Sequence, residues 1–285
     1  MNALVRTSEY VAPLRLVKVL QVVMFAALMG AAAAASAAPV MHVHDSSGNL
    51  AKVNVATGNV DLIGNMGVVM TDIAFNPTGA LYGMSFGSLY SINPNTAAAT
   101  FIGNHSIFGG NALVFGADGT LYGAGNSTTS LFTINPATGA SSSLGSMGFT
   151  SGGDLAFNGG SFYLASASSQ LVKIELGNLA NSAAVGPFGV GGVFGLATGD
   201  DNGLYAVAGT QIFSVNAATG AAANPVNYAG HGLGVAFGQS FFTEAGAPPP
   251  PPPIPEPGSW AMMGVGLAAL LALRRRARGK SKAAA

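Results

Sequence analysis

Between residues 40 and 245 the hydrophobic positions fall in short runs of four to six residues, alternating or fully apolar, with turn residues between them. No stretch there carries the 3.6-residue spacing of an amphipathic helix, so the pattern predicts strands throughout. The strands recur as two motifs. One is Leu50-Ala-Lys-Val-Asn-Val, a turn at Thr57-Gly58 and a second strand ending in Ile63-Gly64. It returns at Leu89, Leu131, Leu171 and Ile212, with starts 39, 42, 40 and 41 residues apart. The other is Asp72-Ile-Ala-Phe75 followed by Leu81-Tyr82-Gly83. It returns as Ala112–Phe115 with Tyr122, Asp154–Phe157 with Tyr163, Gly195–Thr198 with Tyr205, and Gly234–Phe237 with Phe241-Phe242. Asn-Pro, Asp-Gly, Thr-Gly and Gly-Gly pairs in between supply the backbone angles of tight turns.

A period near 40 residues with four short strands per unit predicts an all-β fold, a β-propeller of about five four-stranded blades. A sandwich or a β-helix does not account for that cadence. The first unit lacks its opening strand, because Met41-His-Val-His44 matches the second strand of later units. Gly234–Phe237 is therefore expected to complete the first blade and close the ring, so that no edge between blades stays unpaired. Phe241–Glu244 is then a surplus strand. Tyr82, Tyr122, Tyr163 and Tyr205 recur once per unit, which predicts packing between blades, since a ligand site usually breaks a repeat's symmetry.

Only 8% of the 285 residues are charged, and there is no Cys. The lack of Cys excludes a disulfide framework, a Cys-ligated metal and a Cys nucleophile. Arg6, Arg15 and Lys18 precede residue 20, and six basic residues follow residue 273. The stretch between holds Lys52 and Lys173 against ten acids, which excludes a nucleic-acid partner. The basic start, the apolar run Val19–Leu28 and Ala35-Ser36-Ala37 predict a signal helix cleaved near Ala35 and Ala37. The expected organisation is a signal peptide at 1–37, a repeat domain at 38–247, a proline-rich linker at 248–258, and a transmembrane helix with an Arg-rich tail at 259–285. Consecutive prolines favour an extended, semi-rigid linker.

The end of the chain has three parts in order: Pro255-Glu256-Pro257, an apolar stretch opened by Trp260, and Arg274-Arg275-Arg276. This arrangement resembles the PEP-CTERM sorting signal of Gram-negative bacteria. The resemblance implies recognition by an exosortase, a membrane cysteine transpeptidase-like enzyme, with cleavage near the Pro-Glu-Pro triplet. It also implies residence in the inner membrane before processing, then delivery to the cell surface or extracellular matrix. Proteins of this family often accompany exopolysaccharide and biofilm genes, which implies exopolysaccharide as a partner.

In the body, His42 and His44 are two apart on a strand and so share a face. With Asp45 they could ligate a metal, although no third ligand lies at useful spacing; the plainer reading is a solvated pair. Asp72 and Asp154 occupy one repeat position, at the start of the expected channel-lining strand. Two carboxylates there could bind a cation or act as acid and base, or simply cap turns. Asp200-Asp201-Asn202-Gly203 and Asp45-Ser-Ser-Gly48 lack calcium-loop spacing and read as turns. No phosphate loop, nucleophile elbow or dinucleotide fingerprint is present, so no catalytic residue and no cofactor are assigned, and the question of a metal stays open. The expected function is an exported, non-enzymatic structural or binding scaffold. The alternative is a polysaccharide-modifying enzyme working from the channel carboxylates.

Overall fold

The apolar runs form strands, and the Gly, Asn and Pro clusters between them reverse the chain, so consecutive strands pair antiparallel. In the computed structural model, which describes residues 38–246, the chain begins with β1 (Val40–Asp45), β2 (Asn49–Asn54) and β3 (Val60–Asn65). Four complete meanders follow. They are β4–β7 (Asp72–Phe75, Leu81–Met84, Ser88–Ile92, Ala99–Asn104), β8–β11 (Gly110–Phe115, Leu121–Gly125, Ser130–Ile134, Ser141–Ser146), β12–β15 (Ser151–Asn158, Ser161–Ser166, Gln170–Ile174, Ala183–Pro187) and β16–β19 (Val193–Thr198, Leu204–Ala208, Gln211–Val215, Ala222–Asn227). The last strand, β20 (Ala236–Phe241), adds to β1, giving the sheet order β20-β1-β2-β3 and five four-stranded blades in all. The signal and transmembrane helices expected from the sequence lie outside the described residues. Among those residues, no helix is long and apolar enough to cross a membrane.

The ring closes from both ends of the chain as anticipated, but in a different register. Met41 lies opposite Phe241 and His44 opposite Gly238, just as Leu81 lies opposite Phe75 and Met84 opposite Asp72. Gly238-Gln239-Ser240-Phe241 is therefore the counterpart of Asp72-Ile73-Ala74-Phe75, four residues beyond the expected Gly234–Phe237. Phe241 ends β20 and the residues after it turn, so the expected extra strand at Phe241–Glu244 does not form. The small-apolar run at 234–237 imitates the motif, whereas the true strand carries polar residues that hydrogen-bond across blades. Gln239 Nε2 donates to the Tyr205 carbonyl at 2.8 Å, and Ser240 Oγ accepts the Phe75 N–H at 3.2 Å.

The hydrophobic core is five clusters, one at each junction between neighbouring blades. The junction of the first and second blades, for example, buries Leu50, Met70, Ile73, Phe75 and Leu81. A ring from the second strand of one blade rests on the inner strand of the next. Tyr82 meets Phe115 with centroids 5.2 Å apart, Tyr122 meets Phe157 at 5.8 Å, and Tyr205 meets Phe241 at 5.4 Å. His42 stands in the same place in the first blade, edge-on to Phe75 at 4.8 Å. Aromatic pairs of this kind contribute about 0.5–1.5 kcal/mol each beyond area burial.

The apolar-Gly pair that ends the outer strands also has a physical cause. Ile63, Ile102, Leu144 and Val185 are extra residues at bulges, where the outer strand twists away from its partner. In three blades the glycine that follows receives a turn of the next blade against its backbone. A Cβ at Gly103 would run into the Thr138 carbonyl, one at Gly186 into that of Thr219, and one at Gly64 would lie 3.2 Å from that of Thr96. Gly103→Ala is therefore expected to destabilise the protein by about 1–3 kcal/mol in urea unfolding, the cost of overpacking. Gly87→Ala, which meets open space, should stay within about 0.5 kcal/mol of the parent. Equal midpoints for the two variants would contradict the docking of blade on blade.

Candidate functional site at the propeller axis

Strands β4, β8, β12, β16 and β20 surround the axis, each with one edge that no further strand covers. Asp72, Ala112, Asp154, Gly195 and Gly238 occupy one level of this ring, as the pairing with the second strands shows. Asp72 accepts the N–H of Ile73 at 2.8 Å and, from the next blade, that of Leu113 at 2.6 Å. Asp154 accepts Leu155 at 2.6 Å and, from the next blade, Leu196 at 2.7 Å. Each carboxyl thus staples its own inner strand to its neighbour's. Thr71 Oγ1 reinforces one of these junctions by donating to the Gly110 carbonyl at 2.8 Å. The small residues at the other three positions leave room for the carboxyls. A Cβ at Gly238 would lie 2.5 Å from both Asp72 Oδ1 and His44 Nε2.

Asp72 and Asp154 lie close enough for each to influence the other's protonation. Burial raises both above the ordinary carboxylate range, and the negative charge of Glu244 pushes them in the same direction. Glu244 sits below them. Its Oε2 accepts from Ser240 Oγ at 2.8 Å and its Oε1 from the Thr198 N–H at 3.4 Å, yet burial lifts its pKa from 4.5 to about 8. The axis therefore holds three acids, each shifted upward by desolvation.

The histidines are placed differently from the solvated pair that the sequence suggests. His42 is 5% exposed and His44 0%, both on the face of the first blade that packs against the second. His42 takes the place of the repeated tyrosine, and His44 faces the gap left by Gly238. Burial lowers both to about 3, aided by Lys52 at His42, so both are neutral. Their four ring nitrogens have no partner. Asp45 does not join them: burial works to raise its pKa, but donors on Asn49, Gly234 and Ser47 hold it below the ordinary value. Among the described residues, no group of three or more His, Asp or Glu could hold a metal ion. Asp72 and Asp154 cap no turn, since they lie within or at the start of strands and bridge blades. Asp201 does close a turn, accepting the Gly203 N–H at 2.9 Å and the Tyr205 hydroxyl at 2.7 Å.

Two cavities lie along the axis on either side of the carboxyl ring. The mouth, about 340 Å³, is lined by the residue that precedes the ring position in every blade: Thr71, Asn111, Gly153, Phe194 and Phe237. Phe86 reaches over it from the β5–β6 turn. Asn111 is 8% exposed and its Oδ1 has no partner. Gly152 and Gly153, one of the Gly-Gly pairs expected to mark turns, lie within β12; a Cβ at Gly153 would collide with the Phe194 backbone. The opposite cavity, about 440 Å³, is lined by Asn158, Thr198, Asp200 and Glu244 among others. Asp72 and Asp154 line neither.

The sequence reading passed over Asn111, Phe194 and Glu244. Phe194 and Phe237 share a repeat position, a signal hidden when Phe237 is aligned with Phe75. Glu244 follows the last strand and belongs to no repeat.

The buried acids set a pH dependence. Glu244 ionises near 4.5 when unfolded and near 8 when folded, so its contribution to stability is present below 4.5 and is lost as the pH rises towards 8. The neutral histidines act in the opposite sense, losing stability below 6.5 towards 3. In chemical denaturation from pH 5 to 9, Glu244→Gln should gain on the parent protein as the pH rises and level off above about 8. A difference independent of pH would show that Glu244 is not buried at the axis.

The chain matches the PEP-CTERM protein-sorting motif over residues 253–276. No curated protein matches it. Among solved structures, a chain from a crystal structure of a nidogen/laminin complex aligns at 10% identity with a TM-score of 0.52, over 70% of this chain and 97% of that one. A chain from work on the de novo evolutionary emergence of a symmetrical protein aligns at 18% identity with a TM-score of 0.49, over 70% of this chain and 97% of that one. A Bacteroides caccae protein of unknown function aligns at 16% identity with a TM-score of 0.42, over 67% and 73%. Of these likenesses, the first speaks to the fold and to nothing beyond it. The protein is a five-bladed β-propeller carrying a PEP-CTERM protein-sorting motif at residues 253–276, the signal of an exported protein.

Proposed function

We propose that the propeller is a binding scaffold of the cell envelope or extracellular matrix, presented with its axial mouth turned away from the end that sorts it. The observation that carries this reading is the polarity of the disc. Met41 pairs with Phe241, so both ends of the described chain leave from one face. That face holds the turns bearing Asp118, Glu175, Asp200 and Asp201. On the other face the turns at 46–48, 66–71, 85–87, 105–109, 126–129, 147–150, 167–169, 188–192, 209–210 and 228–235 contain no Lys, Arg, Asp or Glu. Exposed apolar residues gather there instead, among them Phe86, Phe108, Phe194 and Val235. Such a surface is unusual on a lone soluble domain and suits a partner.

The tail after Gly246 carries Pro255, Glu256, Pro257, Trp260 and Arg274–Arg276, the elements of the sorting motif. Exosortase is the processing partner this reading requires, with the apolar segment holding the chain in the inner membrane until cleavage. The arginines stay on the cytoplasmic side by the positive-inside rule. Exopolysaccharide is the partner proposed for the released propeller.

A polysaccharide-modifying enzyme would draw its acid and base from Asp72 and Asp154. Their four oxygens already accept four backbone N–H groups, and neither residue lines a cavity. The geometry therefore favours the scaffold.

Changing Arg274, Arg275 and Arg276 together to Gln should leave an unprocessed precursor in the membrane fraction, read by its larger mass on immunoblots of fractionated cells. Normal maturation of this variant would overturn delivery through the tail.

A further inference from the structure

We infer that the axial mouth is a binding site for an uncharged pyranose unit of a glycan, held by Phe86, Phe194 and Phe237 on its apolar faces and by Asn111 on its hydroxyls. This deepens the scaffold reading and rests on it. Four observations lead to the ligand class. The first is size: about 340 Å³ falls within the roughly 300–1,000 Å³ of small-molecule sites.

The second is the pairing of chemistries. Phe194 and Phe237 meet nearly edge-to-face with centroids 6.0 Å apart, and Phe86, 60% exposed, stands on the same cavity. Aromatic faces beside amides and hydroxyls match a ring that has apolar C–H faces and a polar rim. The third is Asn111. Its Nδ2 reaches the Ser151 carbonyl at 3.5 Å, while its buried Oδ1 is left without a donor. A buried acceptor in this state calls for an O–H or N–H from outside the chain. The fourth is charge. None of the side chains lining the mouth is a Lys, Arg, Asp or Glu that could pair with a ligand charge. An anionic or cationic sugar would enter with its charge uncompensated. A peptide is disfavoured for a different reason. It would bind by adding to a strand edge, and at the mouth the inner edges of β8 and β16 are taken by Asp72, Thr71 and Asp154.

The test uses the full chain purified in detergent, with methyl glucopyranoside, methyl galactopyranoside and methyl mannopyranoside and their neutral disaccharides as probes. Glucuronic acid and glucosamine serve as the charged counterparts. Binding is followed by saturation-transfer NMR and calorimetry. At least one neutral saccharide should bind saturably and at least tenfold more tightly than the charged sugars. Phe86→Ala and Asn111→Ala should each weaken it at least tenfold. Phe86 is mostly exposed in a turn, so its variant should keep the parent's unfolding midpoint and serves as the control for folding. Binding unaffected by either variant would overturn the site. Equal or tighter binding of the charged sugars would overturn the ligand class. If no saccharide binds at tens of millimolar, the inference fails. A protein partner captured by the parent but not by Phe86→Ala would then leave the scaffold reading standing. Self-association of the parent that Phe86→Ala abolishes would point to a second copy of the chain as the occupant and would likewise overturn the inference.

Discussion

A propeller blade is apolar on both faces, so an open ring would leave two sheet faces in water; here the backbone pairing of β20 with β1 prevents that. It joins residues almost two hundred positions apart in the chain, and through it the fifth junction acquires its core of Met41, Val43, Val207, Tyr228 and Phe241. Closure also brings Ser240 and Glu244 to the axis and sets Gly238 beside Asp72. The axial chemistry is thus a consequence of the ring, and none of it exists in any single blade.

That axis is crowded with acids for a structural reason. An inner strand edge bears N–H groups that cannot be left unpaired. Asp72 and Asp154 answer for two junctions and Ser240 for a third. Burying carboxyls to do so raises their pKa and sets a plug of desolvated acids between two cavities. The same closure fixes which face carries the ends of the described chain, so the charge-free mouth lies on the opposite face.

The fold was highly legible in the sequence because the features that repeat are the ones each blade needs. Apolar-Gly pairs mark bulges where a neighbouring turn docks, Thr-Gly marks the turn that docks there, and Leu-Tyr marks the strand whose ring covers the next blade. What repetition could not show was the closing strand. Gly238–Phe241 carries Gln and Ser where other blades are apolar, because its partners come from across a junction, and the decoy at Gly234–Phe237 fits the motif better. His42 was obscured for a related reason: it fills the Tyr position with a different ring and looks like a ligand until its neighbour Phe75 is known. The candidate site was less legible still. Asn111, Phe194 and Phe237 acquire a common role only when five strands are laid around an axis, and Glu244 has no counterpart in any other blade.

Native-state amide hydrogen exchange on the full chain probes ring closure directly, because it reads the free energy at which β20 separates from β1. The expected result is that amides of β20 and β1, Val43 and Gln239 among them, are protected to the level of the inner strands β4 and β12, and open together with them. Exchange of β20 at the rate of the surrounding turns, with β4 and β12 still protected, would mean that the wheel is not held shut by its two ends.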